Sequence, residues 1–144
     1  VQETETVSGV PHVYEYAYDT AGRLVEVKKD SVVIATYSYD ANGNRLNNGA
    51  TYDDQDRLTS TSTASYTYNA NGELLTKTEG ADTTQYTYDA LGNLLQVTLP
   101  DGTLIEYVVD GRNRRIGKKV NGVLTKAWLY KDGLNPIRGA GRRG

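Results

Sequence analysis

The stretch "YTYDALGNLL" at residues 86–95 decides the fold, because closely similar strings recur along the chain. They are "YAYDTAGRLV" (16–25), "YSYDANGNRL" (37–46) and "YTYNANGELL" (66–75). In each string an Asp or Asn follows a Tyr-x-Tyr step, a glycine comes three residues later, and an apolar residue follows. Recurrence of this kind indicates a repeat architecture, so it is considered before any other feature.

Seven units emerge when the chain is aligned on the aspartate position. These positions are Asp19, Asp40, Asp53, Asn69, Asp89, Asp110 and Lys131, at intervals of 21, 13, 16, 20, 21 and 21 residues. The other members of the motif are its tyrosines, glycines and the apolar residues after the turn. They are Tyr16, Tyr18, Gly22, Leu24, Tyr37, Tyr39, Gly43, Leu46, Tyr52, Leu58, Tyr66, Tyr68, Gly72, Leu74, Tyr86, Tyr88, Gly92, Leu94, Tyr107, Ile116 and Tyr130.

Each unit is predicted to be a β-hairpin. Tyr86 and Tyr88 share one face of a strand, because side chains alternate with period two. Asp89 can start a turn by accepting hydrogen bonds from backbone N–H groups two residues on. Gly92 suits the left-handed conformation that closes such a turn, and Leu94 begins the next strand. In two other units Asp56 and Asn113 take the place of the glycine.

Further turn signals separate the units. They are "KKDS" (28–31), "NNG" (47–49), "EGAD" (79–82), "PDG" (100–102) and "VNGV" (120–123). Asn121-Gly122 is the strongest, since this pair is favoured in two-residue type I′ hairpins. With strands of the usual length, we expect about a dozen short strands in a continuous antiparallel meander. No window shows the 3.6-residue periodicity of a helix.

Composition favours a thin sheet over a thick core. The 144 residues include 12 Tyr and one Trp but no Phe, Met or Cys. Tyr packs its ring while its hydroxyl needs water or a hydrogen-bond partner, which suits faces that are partly exposed. The absence of cysteine excludes disulfides and zinc thiolate sites, and no apolar run is long enough to span a bilayer.

Charge is divided along the chain although the net charge is only −2. Residues 1–110 carry 6 Lys or Arg against 17 Asp or Glu, whereas residues 111–144 carry 10 against 1. Such asymmetry indicates a basic surface for nucleic acid or a membrane, or an end that docks on an acidic neighbour.

The "YxYDxxGxL" units resemble YD repeats, also called RHS repeats, over residues 14–138. Residues 1–13 are predicted to be a lead-in segment and residues 139–144 a flexible basic tail. The resemblance implies a curved strip of β-hairpins. In bacterial RHS proteins and related toxin-complex components such a strip spirals into a shell around a toxin or effector domain, and teneurins carry a related shell.

The chain departs from that family pattern in one respect. It stops shortly after "GLNPI" (133–137), without the "DPxGL"-type cleavage motif or a cargo domain. We therefore expect a piece of a longer array, a truncated array, or a protomer that completes its sheet by association.

Candidate chemical sites are few. The only histidine, His12, has no particular Ser beside it in the sequence, so a Ser-His-Asp triad is not indicated. "DANGN" (40–44) places oxygens like a calcium loop, but Thr51 stands where the bidentate Glu is required. Turn capping explains these oxygens better, although Asp53, Asp54 and Asp56 form a group that suits a weak cation.

Two further features suggest partners. The run "RNRRIGKK" (112–119) would attract phosphates, but it has no interleaved aromatic residue, so nucleic-acid binding is disfavoured. The tyrosine stripes suggest carbohydrate as a partner. The structural alternative is that tyrosines pack as cross-strand pairs worth about 0.2–1 kcal/mol each, and repetition in every unit favours it.

The sequence therefore predicts an all-β, non-catalytic structural segment of an RHS-type shell, without cofactor or metal. The alternative is a secreted adhesion or self-assembling fibre module built by edge-to-edge β-pairing. Partners would be further repeats or other copies at exposed strand edges, and an enclosed toxin. The resemblance implies a secreted or cell-surface location, in bacteria.

Overall fold

The chain is described by a computed structural model, which covers residues 1–132 and 136–141. Within them the fold is all-β, and the only helical segment is a single 3-10 turn at Asn47–Gly49. The strands are β1 (Gln2–Val7), β2 (Val10–Tyr18), β3 (Leu24–Lys29), β4 (Val32–Thr36), β5 (Thr51–Tyr52), β6 (Leu58–Ser60), β7 (Ser65–Tyr68), β8 (Leu74–Glu79), β9 (Asp82–Tyr88), β10 (Leu94–Thr98), β11 (Leu104–Val109), β12 (Arg115–Val120), β13 (Val123–Tyr130) and β14 (Pro136–Gly141). The predicted all-β antiparallel fold is confirmed.

Two compact units divide the chain, Val1–Ser62 and Thr63–Gly144. In the first unit β1 to β4 form a sheet in sequence order, and β5 and β6 form a separate hairpin pairing. In the second unit β7 to β14 also follow one another in sequence order. Each strand in these series pairs antiparallel with the next, because every connection is a short reversal.

Type I′ turns close two of the hairpins between the aspartate units. Asn121 and Gly122 have φ values of +49° and +78°, which matches the predicted type I′ turn. Asp30 and Ser31 adopt +49° and +66° without a glycine. The Asp30 carboxylate contributes there, since Oδ1 accepts the Val13 N–H at 2.9 Å and Oδ2 lies 2.7 Å from His12 Nδ1.

The two faces of the second unit differ in chemistry. One face carries a row of aromatic and apolar residues directly opposite one another, namely Tyr86, Val97, Ile105, Val120 and Val123. The other face carries a row of polar residues, namely Thr67, Thr76, Gln85 and Thr98. The hydroxyls of Thr67 and Thr76 lie 2.6 Å apart, so polar groups on this face are paired across strands.

Burial is shallow throughout the described residues. The buried apolar residues are Val27, Ala50, Ala64 and Val97. Val27 lies between Tyr16 and Ala35 on neighbouring strands. Because so few side chains are buried, hydrogen bonds at turns carry more of the cohesion than in a thick-cored domain, as the thin-sheet prediction requires.

The short interval between Asp40 and Asp53 has a structural cause at Asn47. After the Asp40 turn, only Arg45 and Leu46 run back along the incoming strand. The Asn47 side chain then takes the place of a backbone peptide: Nδ2 donates to the Thr36 carbonyl at 2.6 Å, and Oδ1 accepts the Ser38 N–H at 3.3 Å. The chain turns away at Asn48, whose φ is +60°.

Strand β4 is left as the edge of its sheet by this departure. Val32, Val33 and Ile34 are 64%, 46% and 54% exposed. An apolar edge strand with unpaired backbone groups is a template for further β-pairing.

The ends of the chain contain strands. Residues 1–13 hold β1 and the first part of β2, and β14 extends to Gly141. The tail prediction for residues 142–144 lies outside the described residues. None of the described residues belongs to a helix with the length and hydrophobicity that a membrane span requires.

Candidate functional site: the repeated corners

The aspartate turns, called corners here, share one hydrogen-bond pattern. Positions are counted from the corner Asp or Asn, so Asp19 is position 0 of the first corner. The Asp19 N–H donates to the Arg23 carbonyl at 2.9 Å, and the Gly22 N–H donates to the Asp19 carbonyl at 3.0 Å. Asp19 Oδ1 accepts the N–H groups of Ala21 and Arg23, each at 2.9 Å. One carboxylate oxygen therefore satisfies two backbone donors inside the reversal.

The same bonds recur at the later corners. The side-chain oxygen at position 0 accepts the N–H of position +4 in every described case and the N–H of position +2 in most. The acceptor residues are Asp40, Asp53, Asn69, Asp89 and Asp110. This is a turn followed by a left-handed residue and a bulge, which is one of the common short hairpin loops.

Position +3 adopts a positive φ in these six corners. The residues are Gly22 (+79°), Gly43 (+93°), Asp56 (+59°), Gly72 (+86°), Gly92 (+81°) and Asn113 (+58°). Asp and Asn tolerate this region better than other side chains, because their short polar groups can bond locally. The corners therefore keep one backbone shape although two of them lack glycine.

Position +4 supplies a side-chain partner that sequence reasoning missed. Arg23 Nε donates to Asp19 Oδ2 at 2.7 Å, and Asn93 Nδ2 donates to Asp89 Oδ2 at 2.9 Å. Asn69 reverses the roles, since its Nδ2 donates to the Glu73 carboxylate. An amide at position 0 thus occurs with an acid at +4, and this exchange was the available signal in the sequence.

Hydrogen bonding keeps the corner carboxylates ionised. The Arg114 side chain, followed by the Arg114 backbone N–H, lowers the pKa of Asp110 from 3.8 to about 2. The pKa of Asp89 is lowered by the Asn93 side chain and then by the Asn93 N–H. Carboxylates that already accept several hydrogen bonds are turn-formers and poor proton donors, so they are unsuited to general acid catalysis.

Consecutive corners are linked through position +4. Arg23 Nη1 donates to the Asp40 carbonyl at 3.1 Å. Asn93 Nδ2 donates to Asn113 Oδ1 at 3.1 Å in addition to its bond within its own corner. Equivalent links run from Asn44 to Asp56 (2.6 Å) and from Arg114 to the Asp132 carbonyl (3.3 Å). These four links join consecutive corners within each compact unit into a polar ladder.

The tyrosine at position −1 joins a corner to the preceding one. Tyr39 donates its hydroxyl to the Leu24 carbonyl at 2.9 Å, and Tyr52 donates to the Arg45 carbonyl at 2.8 Å. Tyr130 donates in the same way to the Arg115 carbonyl at 2.8 Å. The acceptor is position +5 of the preceding corner each time, so the hydroxyl bonds follow the repeat.

Cross-strand tyrosine pairs were expected, and this expectation was wrong. Tyr18 and Tyr88 lie opposite Leu24 and Leu94, and Tyr86 lies opposite Val97. The reason is the hairpin itself, which places each Tyr-x-Tyr strand beside a strand that begins with Leu. Leu24 and Leu94 thus lie directly opposite a motif tyrosine of their own corner.

The remaining sequence candidates have structural partners. His12 Nδ1 contacts Asp30, and no serine takes part in that contact. In the "DANGN" segment the side-chain amides of Asn42 and Asn44 donate to Asp56 Oδ1 at 2.8 and 2.6 Å. Those amides therefore present N–H groups, where a calcium site would require oxygen atoms.

The basic run at residues 112–119 contains no aromatic residue, but the fold brings tyrosines beside it. Aromatic rings come from adjacent strands: the Arg115 guanidinium lies 3.8 Å from the centroid of Tyr107, and that of Arg114 lies 5.0 Å from Tyr130. Similar contacts in the first unit place Arg23 over Tyr39 and Arg45 over Tyr37. Arginines at positions +4 and +5 thus cover tyrosines of the repeat.

Comparison with solved structures finds the same fold in a toxin complex. A Photorhabdus luminescens Tc holotoxin pore, with a mutation in TccC3, matches with a TM-score of 0.64 and 16% identity over 95% of this chain. A TcdB2-TccC3-Cdc42 complex matches with a TM-score of 0.47 and 19% identity over 91%. This chain spans only 9% and 7% of those chains.

Comparison with protein families gives a match over nearly the whole chain. No curated protein matches the chain. The model of the Teneurin YD-shell family matches residues 1–140, which include all of the corners described above. The chain belongs to the Teneurin YD-shell family.

Proposed function

We propose that the chain is a wall segment of an RHS-type shell that encloses a toxin or effector, and that it acts by containment without catalysing a reaction. The observation that carries this proposal is the ladder of corners. The corners share the same bonds to their own backbone, and position +4 links four pairs of consecutive corners, so the pattern can be extended by adding units. Extension by identical nearest-neighbour contacts is how repeat proteins build large surfaces.

The chemistry of the corners supports a structural role. The carboxylates of Asp19, Asp89 and Asp110 have lowered pKa values because they accept hydrogen bonds. A catalytic acid requires the opposite shift. The motif residues, which sequence analysis put forward as a structural site, therefore have the properties that a repeated turn requires.

The fold shared with a Tc holotoxin supports the shell, since that complex is a bacterial toxin assembly. The proposal extends to partners and location: further YD repeats along the strip, an enclosed toxin domain, and a secreted or cell-surface bacterial setting. Carbohydrate is a weaker candidate, because several of the tyrosine rings are covered by arginine side chains of the chain itself.

The test uses the longest natural polypeptide that contains this segment. We expect electron microscopy to show a closed particle with internal density, and limited proteolysis to leave an internal segment intact. The variant Asp89→Ala, which removes one corner carboxylate, should lower the denaturant concentration at which the internal segment is cleaved. An open strip with no protected segment would overturn the proposal.

A second function, a self-assembling fibre module, is favoured by the exposed apolar edge of β4. If it is correct, the chain should form filaments in a concentration-dependent manner, and Val33→Lys should prevent them. A Val123→Lys control replaces an exposed valine, 53% accessible, in a strand that is paired on both sides. Monomeric behaviour at high concentration would contradict the fibre.

A further inference from the structure

Two lysines face each other across the sheet of the second unit. Lys118 of β12 is directly opposite Lys126 of β13. Like charges at directly opposite positions destabilise a β-sheet. The pair therefore opposes the fold, and such a local conflict is a common mark of a functional surface.

Aromatic residues and a third cation surround the lysines. Tyr107 is directly opposite Lys118 on β11, and the Arg115 guanidinium lies 3.8 Å from the Tyr107 ring centroid. Lys126 Nζ lies 5.2 Å from the Trp128 ring. We call these five residues the basic face: Tyr107, Arg115, Lys118, Lys126 and Trp128.

Other strand lysines show what the basic face lacks. Lys28 pairs with Glu26 at 3.2 Å, and Lys77 pairs with Glu79 at 2.8 Å. In both cases the carboxylate stands two residues away on the same strand, and therefore on the same face.

Apolar residues occupy the equivalent positions beside the lysines of the basic face. Ile116 and Val120 flank Lys118, and Trp128 lies beside Lys126, whereas the bulge turns Leu124 to the face of Lys119. Among the described residues, no carboxylate forms an ion pair with Lys118 or Lys126. Within the part of the chain that the structure describes, the two lysines of this face thus have no carboxylate as an ion-pair partner.

On β14, glycines are the register partners of two residues of the basic face. Gly141 is the partner of Lys126 in the register, and Gly139 is the partner of Trp128. Glycine has no side chain to place over the neighbouring residues. Lys126 and Arg115 are both exposed.

We propose that the basic face binds an acidic segment of a partner polypeptide. Carboxylates suit it because a guanidinium can bind them through two parallel hydrogen bonds, and the two ammonium groups add compact positive charge. Single-stranded nucleic acid fits less well, because the Tyr107 ring on which a base would stack already carries Arg115. This binding is independent of whether the wall encloses a cargo.

The test measures fluorescence anisotropy of labelled hexaglutamate with the full chain, at about 50 mM salt so that screening is moderate. We expect saturable binding. The double variant Lys118→Gln with Lys126→Gln should weaken it about tenfold, since two exposed ion pairs are lost.

The matched control removes the same two charges elsewhere in the unit, as Lys119→Gln with Lys131→Gln. Lys119 adjoins Lys118 but points to the other side of the sheet, and Lys131 lies beyond the end of β13. Binding should change by less than about twofold, because steering by net charge is screened. Equal loss in both double variants would overturn the proposal, as would the absence of hexaglutamate binding.

Two further outcomes would show that the basic face binds something other than an acidic polypeptide, and either would overturn the proposal. One is tighter binding of a labelled oligothymidylate that Lys118→Gln abolishes, which assigns the face to nucleic acid. The other is self-association that Lys118→Gln disrupts, which assigns it to a second copy.

A ligand-free measurement supplies an independent check. Lys118→Gln removes the like-charge contact, so its urea midpoint should be at or above that of the unmodified chain. A clear fall in the midpoint would mean that Lys118 is structural, and would overturn the proposal.

Discussion

Asn69 and Glu73 form a corner pair in which donor and acceptor are exchanged. The Asn69 amide donates to the Glu73 carboxylate, whereas at the next corner the Asn93 amide donates to the Asp89 carboxylate. Both arrangements satisfy one donor and one acceptor, so each corner carries a single acid in this pair. The residue types at positions 0 and +4 of a corner are therefore linked, because one must donate the hydrogen bond that the other accepts.

Exchanging the pair provides the first prediction. Asn69→Asp alone places two carboxylates in contact and should lower the free energy of unfolding by about 1 kcal/mol or more. Adding Glu73→Asn recreates the Asp89–Asn93 arrangement and should restore most of the loss. Urea unfolding of both single variants and the double variant measures the coupling. Additive effects in this cycle would contradict a direct pair.

Stability at low pH provides the second prediction. The folded-state pKa of Asp110 is lowered from 3.8 to about 2, chiefly by the Arg114 side chain. The ionised form is therefore favoured by folding, and its contribution is present above pH 3.8 and is lost as the pH falls toward about 2. Asp110→Asn should weaken the dependence of the unfolding free energy on pH across that window. NMR titration of the Asp110 carboxyl group checks the pKa directly, and a midpoint near 3.8 would refute it.

Two glycines in equivalent surroundings provide the third prediction. Gly22 has a φ of +79° and Gly111 does not have a positive φ, and an added Cβ would touch nothing within 4 Å at either position. Gly22→Ala should cost about 1–2 kcal/mol, because only backbone strain is introduced. Gly111→Ala should be neutral or stabilise by up to about 1 kcal/mol, since it restricts the unfolded chain. Thermal and urea unfolding compare the two, and equal effects would exclude strain as the cause.

Packing at Gly117 provides the fourth prediction. A Cβ there would lie 3.2 Å from Val108 Cγ2 and 3.4 Å from Leu124 Cδ1. Gly117→Ala should therefore destabilise the chain by about 1–3 kcal/mol. Combining it with Val108→Ala, which removes the contacting Cγ2 methyl group, should recover part of the loss. If the double variant is no more stable than Gly117→Ala, contact with Val108 is not the cause of the destabilisation.

The tyrosine hydroxyls provide the fifth prediction. Tyr39→Phe removes the hydrogen bond to the Leu24 carbonyl and should cost about 1 kcal/mol. Tyr37→Phe is the matched control two residues away, because Tyr37 contacts Arg45 through its ring. Its effect on the urea midpoint should be small. A larger loss of stability in Tyr37→Phe than in Tyr39→Phe would show that the Tyr39 hydroxyl does not join the corners.

Local signals in the sequence predicted the fold well. Asp89 with Gly92, and Asn121 with Gly122, determine turns through their own backbone preferences, so neighbouring residues suffice to recognise them. The role of position +4 was missed because Arg, Asn and Glu all occur there, and their common feature is a partner in space. The partners of the tyrosines were wrongly assigned because strand register had to be known first.

The basic face could not be predicted from the sequence, because it also depends on strand register. In the sequence Arg115 and Lys118 belong to a charged run without aromatic residues, and Tyr107 is eight positions before Arg115. Only the pairing of β11 with β12 brings Tyr107 beside both cations. Contacts across strands depend on pairing, which composition and spacing along one segment do not encode.

Asn47 has an evolutionary consequence. By satisfying Thr36 and Ser38 with one side chain, it lets a hairpin end early without leaving those peptide groups unpaired. A deletion of half a unit can then be tolerated if a single asparagine arises at the break. Repeat arrays of this kind can therefore change their unit lengths by small genetic steps and need not gain or lose whole units.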